Sequence, residues 1–434
     1  RVGQIPCCER NLGRDNRLLY RMGEADLPPV PLATRKLCST LNLGESVNLR
    51  ELELDPDPIL ARMRAEEPVC FVPSLDMWMV TKWDDLVHME DHPDVFSANT
   101  SPSFLARALG PNMLTKDRPE ASRTRDAMLP VFQAGGVAGS FASETLVDLA
   151  DQLVDGFIEE GKADLMTSFA APLAANSLAS VLGLDSHGWE QVWQWCEGLC
   201  ADIANFANDP ELTSIGNQAR ESLGRAIDQK IDVTVENHND LSAIAQFVAA
   251  EVDGQPLDRS EIVNNVRLMI SGGINEPRDG IGLVVGTVLA DHQLRNELAL
   301  EPGLWRRCVE EVFRLHSPVG TITRQTTRET RLGDKVLPQG SLVAGVIRSA
   351  NLDEERWSDP KKFNLHRSEG GHAAFATGDH RCLGEWLGRQ VVRIGSQRIL
   401  DRLPNLEVQP GKAIKLHGFE FRGPTNLPCR WDQP

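Results

Sequence analysis

The run Phe375-Ala376-Thr377-Gly378-Asp379-His380-Arg381-Cys382-Leu383-Gly384 restricts this chain more than any other stretch. It reads F-x-x-G-x-H-x-C-x-G and passes directly into a helical pattern, Glu385 to Arg393. A loop that turns at glycines therefore presents one sulfur from the N-terminal end of a helix. Unpaired N–H groups and the helix dipole favour negative charge there, so the sulfur is expected as a thiolate. Gly378 and Gly384 let the backbone approach a flat partner with no side chain in the way. The plain alternative is a buried, inert cysteine ahead of a helix.

Composition narrows the partners. The chain has 434 residues, which by length alone allows two or three domains. Lys and Arg total 45 against 62 Asp and Glu, a formal charge of −17. That balance speaks against nucleic acid and anionic membrane surfaces as general partners. No apolar run reaches the roughly 18 residues of a membrane span, and Arg1 to Pro28 holds no apolar signal region. Arg1 stands where an initiator Met would, so the start is read as trimmed or incomplete. The 9 cysteines show no C-x-x-C spacing. Cys7-Cys8 are adjacent, and Cys196 and Cys200 lie one helical turn apart without zinc-ligand histidines. Scattered reduced cysteines and no leader point to the cytosol.

Periodicity gives a mainly α chain with a small β region. Residues 1–45 are expected to form a surface arm and 46–434 a single catalytic domain. Pro68 to Val72 and Met77 to Thr81 flank Pro73-Ser74 and read as a hairpin. Ser97 to Pro111 reads as a long loop, and Arg118 to Leu182 as mostly helical. Asp258 to His292 gives one long apolar helix pattern interrupted by Gly272-Gly273 and Pro277. Pro277 has no N–H, and its ring clashes with the carbonyl of Gly273, so a kink is predicted there. Strand signals follow at Ile322–Arg324, Thr330–Leu332, Leu342–Ile347, Leu406–Val408 and Pro428–Arg430.

A lone thiolate held as Cys382 is suits the axial position of a haem iron, where it donates electron density toward O–O cleavage. With its motif and element order, the chain resembles the cytochrome P450 family from about Leu52 to Trp431. The resemblance implies the mainly α haem-thiolate fold, haem b (iron protoporphyrin IX) and insertion of one oxygen atom from O2 into a C–H bond. Cys382 becomes the metal ligand, with Phe375, Gly378 and Gly384 in the cofactor loop. Arg125, Arg324 and His380 become the cations for the haem propionates, suited to carboxylates by their donors. Glu311 and Arg314, at i and i+3 on a helix, form a structural charge network completed by Arg367.

One stretch departs from the family pattern. Where the family usually places an acid followed by threonine, this chain reads Gly272-Gly273-Ile274-Asn275-Glu276-Pro277. Asn275 and Glu276 are the expected proton handlers, with Glu276 in place of the alcohol. The resemblance also nominates a substrate pocket of Phe104, Leu105, Met269, Ile270, Gly273, Val319, Gly320, Thr321 and Phe419. That lining suits a small aromatic substrate. Asn-Glu-Pro and Val-Gly-Thr look similar to the bacterial branch that O-demethylates methoxyphenols such as guaiacol and syringol. The chain shows no flavin or iron–sulfur motif. Electrons are therefore expected from NAD(P)H through a separate ferredoxin or flavin/iron–sulfur reductase, docking near Arg381, Arg389 and Arg393. A peroxygenase using hydrogen peroxide and a non-catalytic haem-binding protein are the alternatives.

Overall fold

A computed structural model describes residues 43–237 and 239–433. The expected arm, 1–45, lies almost wholly outside them, as do Cys7, Cys8 and Cys38. Helices dominate the rest. The ones that build the site are α1 (Glu120–Phe132), α2 (Trp189–Ile203), α3 (Arg259–Gly272), α4 (Asn275–Ala290), α5 (Trp305–His316) and α6 (Glu385–Arg402). Their apolar faces meet in one large core, to which Phe169, Leu178, Val266, Val284, Val312 and Val392 contribute.

The expected hairpin is present as β1 (Val69–Val72) and β2 (Met77–Val80), paired antiparallel from Val69 opposite Val80 to Val72 opposite Met77. With β3 (Phe96–Ser97), β4 (Thr321–Thr326) and β5 (Leu342–Val346) they form a five-stranded sheet in the order β1-β2-β5-β4-β3. Only β2 and β5 run parallel, as a long crossover connection permits. A smaller core of Leu52, Met63, Met79, Val346 and Phe419 packs on this sheet. Near the C-terminus β6 (Leu416–His417) and β7 (Gly423–Pro424) make a second hairpin.

Two sequence expectations change. The loop after Ser97 contains a helix, Phe104–Leu109, whose first turn is capped by the Ser103 hydroxyl accepting from the Ala106 N–H at 3.1 Å. The long helix is broken rather than kinked. α3 ends at Gly272, Gly273 and Ile274 separate the segments, and α4 starts at Asn275. Pro277 therefore sits in the first turn of α4, where a missing N–H costs nothing. The interruption leaves the Ser271 carbonyl without a helical partner, and two cysteines fill the gap. The thiols of Cys196 and Cys200 on α2 lie 3.6 and 3.4 Å from that oxygen.

Candidate active site

A cavity of about 330 Å³ lies between the broken helix, the sheet and the cysteine loop. The loop is tied tightly. Ala376 and Gly378 adopt φ of 59° and 63°, and the Cys382 N–H donates to the Phe375 carbonyl at 2.8 Å. The Phe375 ring is packed edge-on by Phe313 at 5.2 Å and covered by the Arg389 guanidinium at 4.0 Å. Cys382 lies deep in the protein yet has ample free surface, because its side chain faces the cavity. Burial pushes its thiol up to about 11, against the Gly384 N–H, which favours the thiolate. Burial of the loop thus opposes what the helix terminus favours. A bound cation would produce the expected thiolate, since coordination deprotonates a thiol outright.

Arg125, Arg324 and His380 line the same cavity. Arg125 has no carboxylate partner among the described residues. Arg324 is already engaged: its Nη2 lies 2.8 Å from Glu90 Oε1, a charge contact whose angle falls short of a hydrogen bond, with both side chains buried. Burial lowers the pKa of Arg324 and raises that of Glu90, and their mutual attraction opposes both shifts. Burial likewise lowers His380 to about 4. Haem b fits this donor set. It is flat, carries one iron and two carboxylates, and would find one unpaired sulfur and these basic side chains on one cavity. Gly384 and Gly388 also line the cavity, and a Cβ on either would meet no protein atom within 4 Å. Their missing side chains leave that space free. Gly378 is a different case. It does not line the cavity; it serves the turn, with a notional Cβ 2.8 Å from the Glu90 carbonyl oxygen.

The carboxylate of Glu311 gathers the three residues of the charge network. Arg314 donates to it through Nε and Nη2, both at 2.8 Å, and Arg367 through Nε at 2.9 and 3.1 Å. The Asn364 N–H adds a contact of 3.0 Å. Arg314 Nη1 continues to the Asn351 carbonyl at 2.8 Å, and the Asn351 side chain accepts from the Ala373 N–H at 2.8 Å. Ala373 opens the segment that leads to Cys382, so Asn351 links the network to the loop. The sequence reading missed it, because no motif marks an asparagine in an irregular stretch.

On the broken helix Glu276 and Asn275 part company. Consecutive helical residues project about 100° apart. Glu276 faces the cavity, and burial raises its pKa well above the usual carboxylate range. Asn275 does not reach the cavity; it is buried and its Nδ2 lies 3.4 Å from Asp279 Oδ2. Asp279 is paired with Arg278 at 2.5 Å, and burial raises it to about 6.

Of the nominated pocket residues, Phe104, Leu105, Met269, Gly273, Val319 and Thr321 line the cavity. Ile270, Gly320 and Phe419 do not. Ile270 points into the helical core, and Phe419 belongs to the core beneath the sheet. Gly320 is pressed against backbone, its notional Cβ 2.0 Å from the Phe419 carbonyl oxygen. The neighbours of Phe419, Glu420 and Phe421, take its place in the lining. On the surface, Arg389 pairs with Glu310 and Glu385, and Arg393 donates to Gln390 and Gln397. Arg381, paired with Glu385, remains the most exposed of the three.

Among the described residues no helix is long and apolar enough to cross a membrane. Residues 290–419 match the family described as Cytochrome P450. Over 392 residues the chain is 30% identical to Cytochrome P450 107B1 of Saccharopolyspora erythraea, covering 85% of this chain and 93% of that protein. Over 403 residues it is 26% identical to pulcherriminic acid synthase of Bacillus subtilis, covering 89% and 98%. The ligand-free structure of Cytochrome P450 TbtJ1 superposes with a TM-score of 0.80 at 26% identity, covering 89% of this chain and 100% of that one. A cysteine facing a deep cavity, a buried Glu-Arg-Arg network behind it and this similarity across nearly the whole length converge, and the chain belongs to the cytochrome P450 family, the oxygen-dependent haem monooxygenases.

Proposed function

We propose that the protein removes O-methyl groups from small methoxyphenols and that Glu276 handles the protons. Haem b, when bound, supplies the activation of O2 for insertion of one oxygen atom into a C–H bond. On a methoxyarene that insertion gives a hemiacetal, which collapses to a phenol and formaldehyde. The second oxygen atom leaves as water, consuming two electrons and two protons. Reduced nicotinamide, through a separate ferredoxin or flavin/iron–sulfur reductase, is the proposed electron source. Cys382 Sγ would hold the iron, and Arg125, Arg324 and His380 the propionates. Phe104, Leu105, Met269 and Val319 offer an apolar wall to the ring.

The observation that carries this reading is the cavity-facing carboxyl of Glu276, whose pKa burial raises well above the usual carboxylate range. A carboxylic acid stands where the family usually has an alcohol, and it both donates and accepts a proton at one site. In the Glu276→Ala variant we expect turnover of reduced nicotinamide to continue while phenol and formaldehyde yield falls about tenfold or more. Unchanged yield per nicotinamide consumed would refute the role. The same carboxyl favours a second reading, with hydrogen peroxide as oxidant. Product from peroxide alone, lost in Glu276→Ala, would select it.

A further inference from the structure

The cavity is electrically uneven. Arg125, Arg324 and His380 are its basic residues, whereas Glu276 and Glu420 are the only carboxylates in its described lining. Glu276 has a proposed task; Glu420 has none. It sits at the tip between β6 and β7, and that tip is stapled to the segment ahead of β4. Gly320 N–H donates to the Glu420 carbonyl at 2.8 Å, and Arg422 N–H to the Pro318 carbonyl at 2.8 Å. Val319 and Phe421 form a β-bridge between the two segments. The side chain is fixed as well: Thr321 Oγ1 donates to Glu420 Oε2 at 2.6 Å. The other oxygen, Oε1, has no hydrogen-bond partner among the described residues and is not sealed off by protein atoms. Among the described residues no arginine or lysine pairs with the group, and burial raises it to about 7. With one oxygen bonded to Thr321 and the other facing the cavity, the group has a free acceptor that the fold itself does not use.

We propose that Glu420, held by Thr321, is a specificity-determining residue that accepts a hydrogen bond from an O–H or N–H donor on the substrate ring. The inference rests on the small-aromatic reading above and extends it. A phenolic hydroxyl beside the methoxy group would dock on Oε1, fixing which edge of the ring turns toward Cys382 and Glu276. A rigid acceptor of this kind rejects an analogue lacking the donor, because its own oxygen is then left unpaired.

The test is a titration of the ferric holoprotein, reading the haem spin-state shift and the heat of binding. Guaiacol, ortho-anisidine and veratrole share one ring and one methoxy group and differ in the adjacent substituent: hydroxyl, amine or a second methoxy. The wild type should bind at least one of the two donors about tenfold more tightly than veratrole, the weight of one net hydrogen bond. Which donor wins separates hydroxyl from amine recognition. In Glu420→Leu the preference should fall below about twofold. In Glu420→Gln, whose amide oxygen still accepts, part of it should remain. The ferrous carbonyl spectrum of each variant checks that haem and fold are intact. Equal binding of veratrole by the wild type, or a preference that survives in Glu420→Leu, overturns the role of Glu420 and leaves the aromatic reading standing. If none of the three compounds binds the wild type, the aromatic reading fails and this inference with it.

Discussion

Replacing Glu311 by glutamine tests how the cysteine loop is held. The carboxylate of Glu311 faces the guanidinium groups of Arg314 and Arg367, whose side chains are 2% and 6% exposed. Glutamine keeps the shape but removes the charge and turns an N–H toward other N–H donors. Arg367 retains Glu369 at 2.9 Å; Arg314 retains the Asn351 carbonyl and the Trp357 ring, its guanidinium carbon 5.4 Å from the ring centre. Removing one partner of a buried ion pair costs about 3–5 kcal/mol. Unfolding entropy of about 2.1 cal/mol/K per residue gives roughly 0.9 kcal/mol/K for this length, so Tm should fall by about 3–6 °C. The damage should not stay local. Arg314 positions Asn351, and Asn351 holds the Ala373 N–H. Amide exchange at Ala373 and Cys382 should therefore accelerate in the haem-free protein, and haem should be lost more readily. Thermal unfolding, hydrogen exchange and haem content measure the three effects. A Tm within about 1 °C of the parent with unchanged exchange at Ala373 would refute the chain of contacts from Glu311 to the loop.

The two cavity arginines should separate in the haem-free protein. Arg125→Ala breaks no ion pair among the described residues, so its stability should stay within about 0.5 kcal/mol of the parent while haem affinity falls. Arg324→Ala strands buried Glu90 and should destabilise by about 3 kcal/mol before any haem is added; equal melting of the two variants would contradict this. Stability should also fall with rising pH in a way traceable to Glu53 and Glu420. Burial raises both from 4.5 to about 7, so the folded protein keeps protons that the unfolded chain releases. Their contribution is complete below about pH 4.5 and lost as pH rises through about 7, at most about 3 kcal/mol for each carboxyl. Denaturant titrations of Glu53→Gln and Glu420→Gln across about pH 5 to 8 should show a flatter decline than the parent.

Local chemistry was legible in the chain itself. The spacing of Gly378, His380, Cys382 and Gly384 named the cysteine loop, and the Glu311–Arg314 pair needed only a helix to meet. The β1–β2 hairpin followed from two short apolar runs around Pro73-Ser74. All of these depend on residues close in sequence, where backbone geometry fixes which side chains meet. Direction and long-range pairing were decided by packing. A Gly-Gly-Ile-Asn-Glu-Pro run shows that a helix is disturbed there, but not that it breaks so as to aim Glu276 into the cavity and Asn275 at Asp279. Nothing near Arg324 announces Glu90, and nothing near Asn351 announces Ala373. Phe419 was nominated where Glu420 lines the cavity, because one step along a hairpin tip exchanges core for cavity. Glu420 finds its hydroxyl partner 99 residues away, at Thr321. Only the closure of the whole chain brings those two together, since side-chain direction at a tip is set by the surface it packs on and not by its own neighbours in sequence.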